Sequence, residues 1–364
     1  MKIFSRRVIL ILAVFWLIFM AVFLFFYTQD KYFRELLKTN LEEWINKNKG
    51  RTKGDVKEEV FEPDLLKWRP VSFNVPFAKR DAHTLEVFKG KLWLLGGVGG
   101  ESPDYTKNYS DIWYSENGKD WIQASSKAPW GPRRAHESVV FKDKIWIIGG
   151  VTTGERYLND IWSSEDGINW VEVSNAAEFA PRKGFASVVF DNKIWVLGGV
   201  SVKGAENDVW VSENGRDWLL ATEHASWPPR YDLAAEMFQN KFWVAGGIFP
   251  GETIARKDVW VSENGRDWTI VSEENAWPGR HGHCLLAFND YLFIIGGWSG
   301  YAHGYNDAWY SKDGIYWREL YKDGLALWIG REDLTCAVFG DKILMLGGME
   351  TGGQRTNDVW GLGK

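Results

Sequence analysis

The stretch "VWVSENGRDW" stands at 209–218 and again at 259–268. Looser copies read "IWYSENGKDW" at 112–121, "IWSSEDGINW" at 161–170 and "AWYSKDGIYW" at 308–317, and a sixth breaks off as "VWGLGK" at 359–364. Each full copy sets Asn-Gly or Asp-Gly between aromatic-flanked runs, the strongest short-range signal for a β-hairpin. Ahead of each copy a paired glycine ends an apolar run: Gly96-Gly97, Gly149-Gly150, Gly198-Gly199, Gly246-Gly247, Gly296-Gly297 and Gly347-Gly348. The second unit reads as four strands, "ESVVF", "KIWIIGG", "NDIWSS" and "INWVEVS". Four antiparallel strands in about 50 residues is the period of a propeller blade. The chain is therefore expected to be all-β, and its 23 Trp and 38 Gly agree with short strands and tight turns.

The paired glycines, the "NDVW" segment and the Trp eight residues further on (Trp210 to Trp218) resemble the kelch-repeat family over about residues 68–364. The resemblance implies a six-bladed propeller like the central domain of galactose oxidase and bacterial kelch proteins. It fixes the fold far better than the function. The sixth unit lacks a fourth strand, and "KWRPVS" at 67–72 matches the fourth strand "DWTIVS" at 267–272. A strand holding Trp68 is expected to complete the last blade, closing the ring and hiding its sheet edges.

Four segments are expected: a short tail 1–7, an anchor 8–27, a stalk helix with linker 28–66, and the propeller 67–364. Residues 8–27, "VILILAVFWLIFMAVFLFFY", carry no charge over 20 residues, enough to span a bilayer core. Lys2, Arg6 and Arg7 favour a cytoplasmic N-terminus, leaving the propeller outside the cytoplasm, periplasmic or extracellular. Phe33, Leu36, Leu37, Leu41, Trp44 and Ile45 fall at helical spacing in the stalk. A net charge of −5 lacks the basic footprint of nucleic-acid binders. Two cysteines, Cys284 and Cys336, make neither a disulfide framework nor a zinc cluster; they fall in adjacent blades and could pair, with buried free thiols the first expectation. No metal and no cofactor is expected.

Residues present in all six units serve the blade; residues present in one are candidates for function. Asp111, Asp160, Asp208, Asp258, Asp307 and Asp358 recur before the third strand and read as loop caps. Arg80, Arg133, Arg182, Arg230, Arg280 and Arg331 recur where each innermost strand begins, three residues after an aromatic. They are either structural partners of carbonyls and carboxylates or a cationic ring for an anionic ligand. Trp298 has Val, Ile or Met at its place in the other units and opens a loop with Tyr301, His303 and Tyr305. With His281 and His283 on one side and Arg331, Glu332 and Asp333 on the other, that loop is the expected binding site. His83, His136 and His224 are expected on the same face. Asp81, Glu86, Glu137, Asp232, Glu236, Glu332 and Asp333 differ between units and lie near the axis, where carboxyl pKa values shift.

The expected function is a membrane-anchored, extracytoplasmic binding module that recognises a glycan or protein ligand on the loop face. The alternative follows from the resemblance, which includes kelch proteins that interconvert sialic acid anomers. It is a sugar-acting isomerase with Glu137, Asp232 and Glu236 transferring protons. The galactose oxidase cofactor has no counterpart here, because both cysteines fall in innermost strands.

Overall fold

The computed structural model describes residues 61–364 apart from 101–105, 274 and 302. The apolar stretch 8–27 and the stalk lie outside them. Among the described residues no helix is long and apolar enough to cross a membrane.

Among the described residues the strands form six four-stranded sheets. The fourth unit is representative. Its strands Ala234–Phe238, Lys241–Ala245, Val259–Ser262 and Thr269–Ser272 pair antiparallel in sequence order, innermost to outermost. The sixth sheet takes its outer strand from the other end of the chain. Lys67–Ser72 pairs antiparallel with Val359–Gly363, aligning Trp68 with Leu362. Residues 61–66, expected as linker, pack on the fifth unit instead. Phe61 meets Phe288 edge-on, Tyr310 donates to Asp64 at 2.8 Å, and Leu66 is buried. Phe288 and Phe293 of the fifth unit thereby gain Phe61 as an apolar cover.

The ten-residue repeat is a hairpin held by its own side chains. Ser212 Oγ accepts the Gly215 N–H at 2.8 Å, and Asn214 Oδ1 accepts those of Arg216 and Asp217, both at 2.9 Å. Trp218 Nε1 donates to the Gly215 carbonyl. Such short-range side-chain bonds favour a turn over a continued strand. Gly215 sits at φ +73°, and a Cβ there would stand 2.3 Å from Trp146 of the preceding unit. Gly167, Gly265 and Gly314 press likewise on Trp93, Trp195 and Trp243. The repeat is thus both a local turn and the piece that packs one blade on the next.

The recurrent Arg and Asp form one buried unit. Arg280 Nη1 and Nη2 each reach an Asp307 carboxylate oxygen at 2.7 Å, and Nη1 also donates to the Gly296 carbonyl. The same pairing joins Arg80 to Asp111, Arg133 to Asp160, Arg182 to Asp208, Arg230 to Asp258 and Arg331 to Asp358. Each Asp also accepts from the third-strand indole, as Asp258 does from Trp260 at 2.7 Å. These carboxylates are therefore counter-ions rather than loop caps. The arginines are 0–1% exposed, so they form no cationic ring open to a ligand: the bidentate fork is already filled.

The cysteines are joined. Cys284 and Cys336 form a disulfide with Cα atoms 6.0 Å apart, linking the innermost strands of the fifth and sixth units. The expectation of free thiols fails because neighbouring innermost strands bring Cβ atoms within bonding reach.

Candidate functional site

Each innermost strand is entered through four successive positions, and the fold gives each a different task. The first is the buried arginine. The second pairs with the residue after the paired glycine: Asp81 with Val98, Arg134 with Val151, Lys183 with Val200, Tyr231 with Ile248, His281 with Trp298 and Glu332 with Met349. Six different side chains occupy this repeated place. The third position is Ala82, Ala135, Gly184, Asp232, Gly282 or Asp333, all at φ between 46° and 57°. Their backbones form a cycle: the N–H of 82 donates to the carbonyl of 333, 333 to 282, 282 to 232, 232 to 184, 184 to 135 and 135 to 82. This left-handed conformation suits glycine and strains alanine, so the ring is held by the blades around it. The fourth position, His83, His136, Phe185, Leu233, His283 or Leu334, is buried.

Carboxyls gather above the ring. A Cβ on Gly184 would meet Asp232 Oδ1 at 2.3 Å, and one on Gly282 would meet Asp333 Oδ1 at 2.5 Å, so each aspartate lies over a glycine. His281 Nδ1 faces Asp232 at 3.8 Å and Glu332 at 3.7 Å. Asp81 accepts from Arg355 Nε at 2.9 Å. Arg134 and Lys183 both pair with Glu155. Burial, then the Asp333 charge, pushes Asp81 up to about 7 against the pull of Arg355. Burial and three neighbouring aspartates push Glu332 up to about 9. Asp333 rises to about 6 through burial, opposed by Arg355, Lys183 and Arg134, and Asp232 moves well above the carboxylate range for the same first reason. Burial raises Tyr231 to about 12, helped by Asp232, Asp333 and Glu332, and lowers His281 to about 4.

Below the ring a cavity of about 240 Å³ follows the innermost strands. Glu86 accepts from Ser138 at 2.8 Å and Glu137 from Ser187 at 3.1 Å, each bridging to the next unit. Burial raises both to about 8 and Glu236 to about 7. A carboxyl raised above its ordinary value near 4.5 keeps its proton in the native state where the unfolded chain has lost it. Its contribution is complete below about pH 4.5 and disappears as pH rises through 7–8. The melting temperature should therefore fall between pH 5 and pH 9, each carboxyl costing on the order of 1 kcal/mol or more at the upper end. Glu86→Gln/Glu137→Gln should flatten that fall. A melting curve that rises with pH, or an unchanged slope in the double variant, contradicts the assignment.

The structure separates the residues expected at one site. His281, Glu332 and Asp333 meet at the mouth, with Trp298 paired to His281 across the short ladder. Tyr301 is 77% exposed on the neighbouring loop, and His303 turns to Asp323 at 2.6 Å. Tyr305 is buried with its ring 4.6 Å from the Arg280 guanidinium, the place Tyr109 takes over Arg80, so it belongs to the blade. Arg331 is sealed with Asp358. His83, His136 and His283 are buried, the first two against Thr335 and Thr84, because their position faces the preceding unit around the ring. His224 is exposed beside Asn207. Asp232, on the ring at φ 50°, adds to the upward push on Glu137, while Glu236 lies within the innermost strand Ala234–Phe238 of the same unit. Among the described residues no group of carboxylates, histidines or cysteines could hold a metal ion. Arg134, Lys183 and Tyr231 are not among the residues expected from the sequence; they differ between units at the place after each recurrent arginine, the same signal that marks Trp298.

No curated protein matches the chain. Residues 117–297 match the family model described as the KLHDC2/KLHL20/DRC7 Kelch-repeats domain. The match runs from the first unit's hairpin through the fifth unit's paired glycines and takes in the second, third and fourth units whole, so these units are similar to kelch repeats, and the six four-stranded sheets are consistent with a β-propeller.

Proposed function

We propose that this chain is a binding module that engages a protein partner on the face bearing the mouth. The observation that carries the reading is a run of exposed apolar side chains on loops bonded to one another. Phe249 and Ile254 lie on the fourth unit's loop, Tyr301 on the fifth's, and Leu325, Leu327 and Ile329 on the segment entering the sixth. Ala255 donates to the Ser299 carbonyl, Gly304 to Thr351 Oγ1, and Thr351 to the Gly330 carbonyl, so these loops form one surface. Leu327 is 73% exposed. Soluble monomers rarely leave such side chains together in water unless a partner covers them. The kelch match supports a protein rather than a glycan as the ligand.

The propeller is proposed as a six-bladed ring closed by Lys67–Ser72, a reading supported by the pairing of that strand with Val359–Gly363. An anchor at 8–27 would hold it outside the cytoplasm. The Cys284–Cys336 bond supports that side, since disulfides persist in oxidising compartments. Finding both sulfurs reduced in cells would remove this support.

The test places a photo-crosslinking residue at Tyr301 or Leu327 of the full-length chain in cells, with Leu219 on an outer strand as control. One protein should be captured from the two loop positions and not from Leu219. Leu327→Asp should cut that capture by about tenfold or more, as expected where an anchor enters an interface core, and leave the melting temperature within about 2 °C, as for a surface change. Capture from Leu219 alone, or none from the loops, overturns the reading.

A further inference from the structure

We propose that the mouth receives a cationic side chain, lysine or arginine, of the partner protein; the inference rests on the protein-binding reading above and names the chemistry of its centre. Three carboxyl groups, Asp232, Glu332 and Asp333, converge there from the fourth and sixth units. The nearby bases are already engaged: Arg134 and Lys183 share Glu155, and Arg355 holds Asp81. Among the described residues the ion pairs of Asp232 and Glu332 are with His281 alone, at 3.8 and 3.7 Å. Those distances are too long for hydrogen bonds.

Independent of the acidic carboxyls, one buried polar group stands unsatisfied at the same place. His281, 8% exposed, has no hydrogen-bond partner on the Nδ1 that faces Asp232 and Glu332. Buried polar atoms are nearly always bonded, so this nitrogen suits a site that takes up a donor. The carboxyls are reachable: Asp232 keeps 21% and Glu332 11% of side-chain surface accessible.

An ammonium has three donors and a guanidinium five, while both lack acceptors, which matches a site rich in carboxyl oxygens. An anionic guest would face Asp232, Glu332 and Asp333, while Arg134, Lys183 and Arg355 are held by Glu155 and Asp81. The groups that set the charge here are Asp81, Asp232, Glu332, Asp333, Tyr231, His281, Arg134, Lys183 and Arg355. A bound cation favours the ionised carboxyls, whose protons must leave. Binding should therefore release protons at pH 7 and tighten as pH rises from 6 to 8.

The probes are tetralysine and tetraglutamate peptides, titrated calorimetrically into the full-length chain in buffers of different ionisation enthalpy. Tetralysine should bind with net proton release, and tetraglutamate should not bind. Glu332→Gln/Asp333→Asn should weaken tetralysine by about thirtyfold or more, the lower end for losing a buried charge partner. Glu213→Gln, on a distant hairpin, should leave binding unchanged and so exclude a general effect of net charge. Proton release from the parent chain tests the same point without any variant. Absence of release, unchanged affinity in the double variant, or an equal loss in Glu213→Gln overturns the proposal. If crosslinking from Tyr301 and Leu327 is found while tetralysine fails to bind the parent chain, the protein-binding reading stands and the cation pocket falls.

Discussion

Replacing Arg280 by leucine should lower stability by about 3–5 kcal/mol, the cost of stranding a buried charge. Asp307 would keep one donor, the Trp309 indole at 2.7 Å, in place of the three it has now. The Gly296 carbonyl would also lose its partner. Both side chains are nearly sealed from water, so no solvent makes up the loss. For a domain of this size the melting temperature should fall on the order of 10 °C. Arg280→Leu/Asp307→Leu should recover much of that, because removing both charges leaves no uncompensated ion. Lys241→Met, which breaks an exposed pair with Glu263, should change stability by less than about 1 kcal/mol. The measurement is thermal or urea unfolding of the four chains side by side. If Arg280→Leu melts within about 2 °C of the parent, the arginines are not structural.

A chain that begins at residue 76 should be destabilised at least as severely or fail to fold. The deletion removes the outer strand of the sixth sheet and exposes the whole edge of Val359–Gly363. It also removes Trp68, buried edge-on against Trp328, along with Leu66 and Phe61. Losing one buried Trp alone costs roughly 3–5 kcal/mol. The bare edge adds a tendency to pair with other chains, visible as concentration-dependent association by light scattering. A peptide spanning 61–75 added in trans should restore part of the melting temperature. Equal melting of chains starting at 61 and at 76 would refute closure by this strand.

The blade was legible in the sequence because its defining contacts are local. Ser212, Asn214 and Gly215 bond within three residues of one another, and the turn they make looks alike wherever the same letters recur. The incomplete sixth unit and the matching "KWRPVS" likewise marked which strands pair, since a missing piece and its complement share one pattern. Arg280 and Asp307, by contrast, are 27 residues apart. Sequence could show that both recur, yet the choice between a filled ion pair and an open ring depended on burial, which packing alone sets. The disulfide is similar, its sulfurs brought together across 52 residues by neighbouring innermost strands.

The mouth depends on tertiary structure most of all. Asp81, Asp232, Glu332 and Asp333 come from three units, and their raised pKa values arise from shared burial and mutual repulsion that no single stretch contains. Sequence marked these carboxyls as unusual because they differ between units. Only the ring of backbone bonds through 82, 135, 184, 232, 282 and 333 decided which of them face one another. Turn geometry follows from neighbours in the chain, whereas charge state follows from neighbours in space.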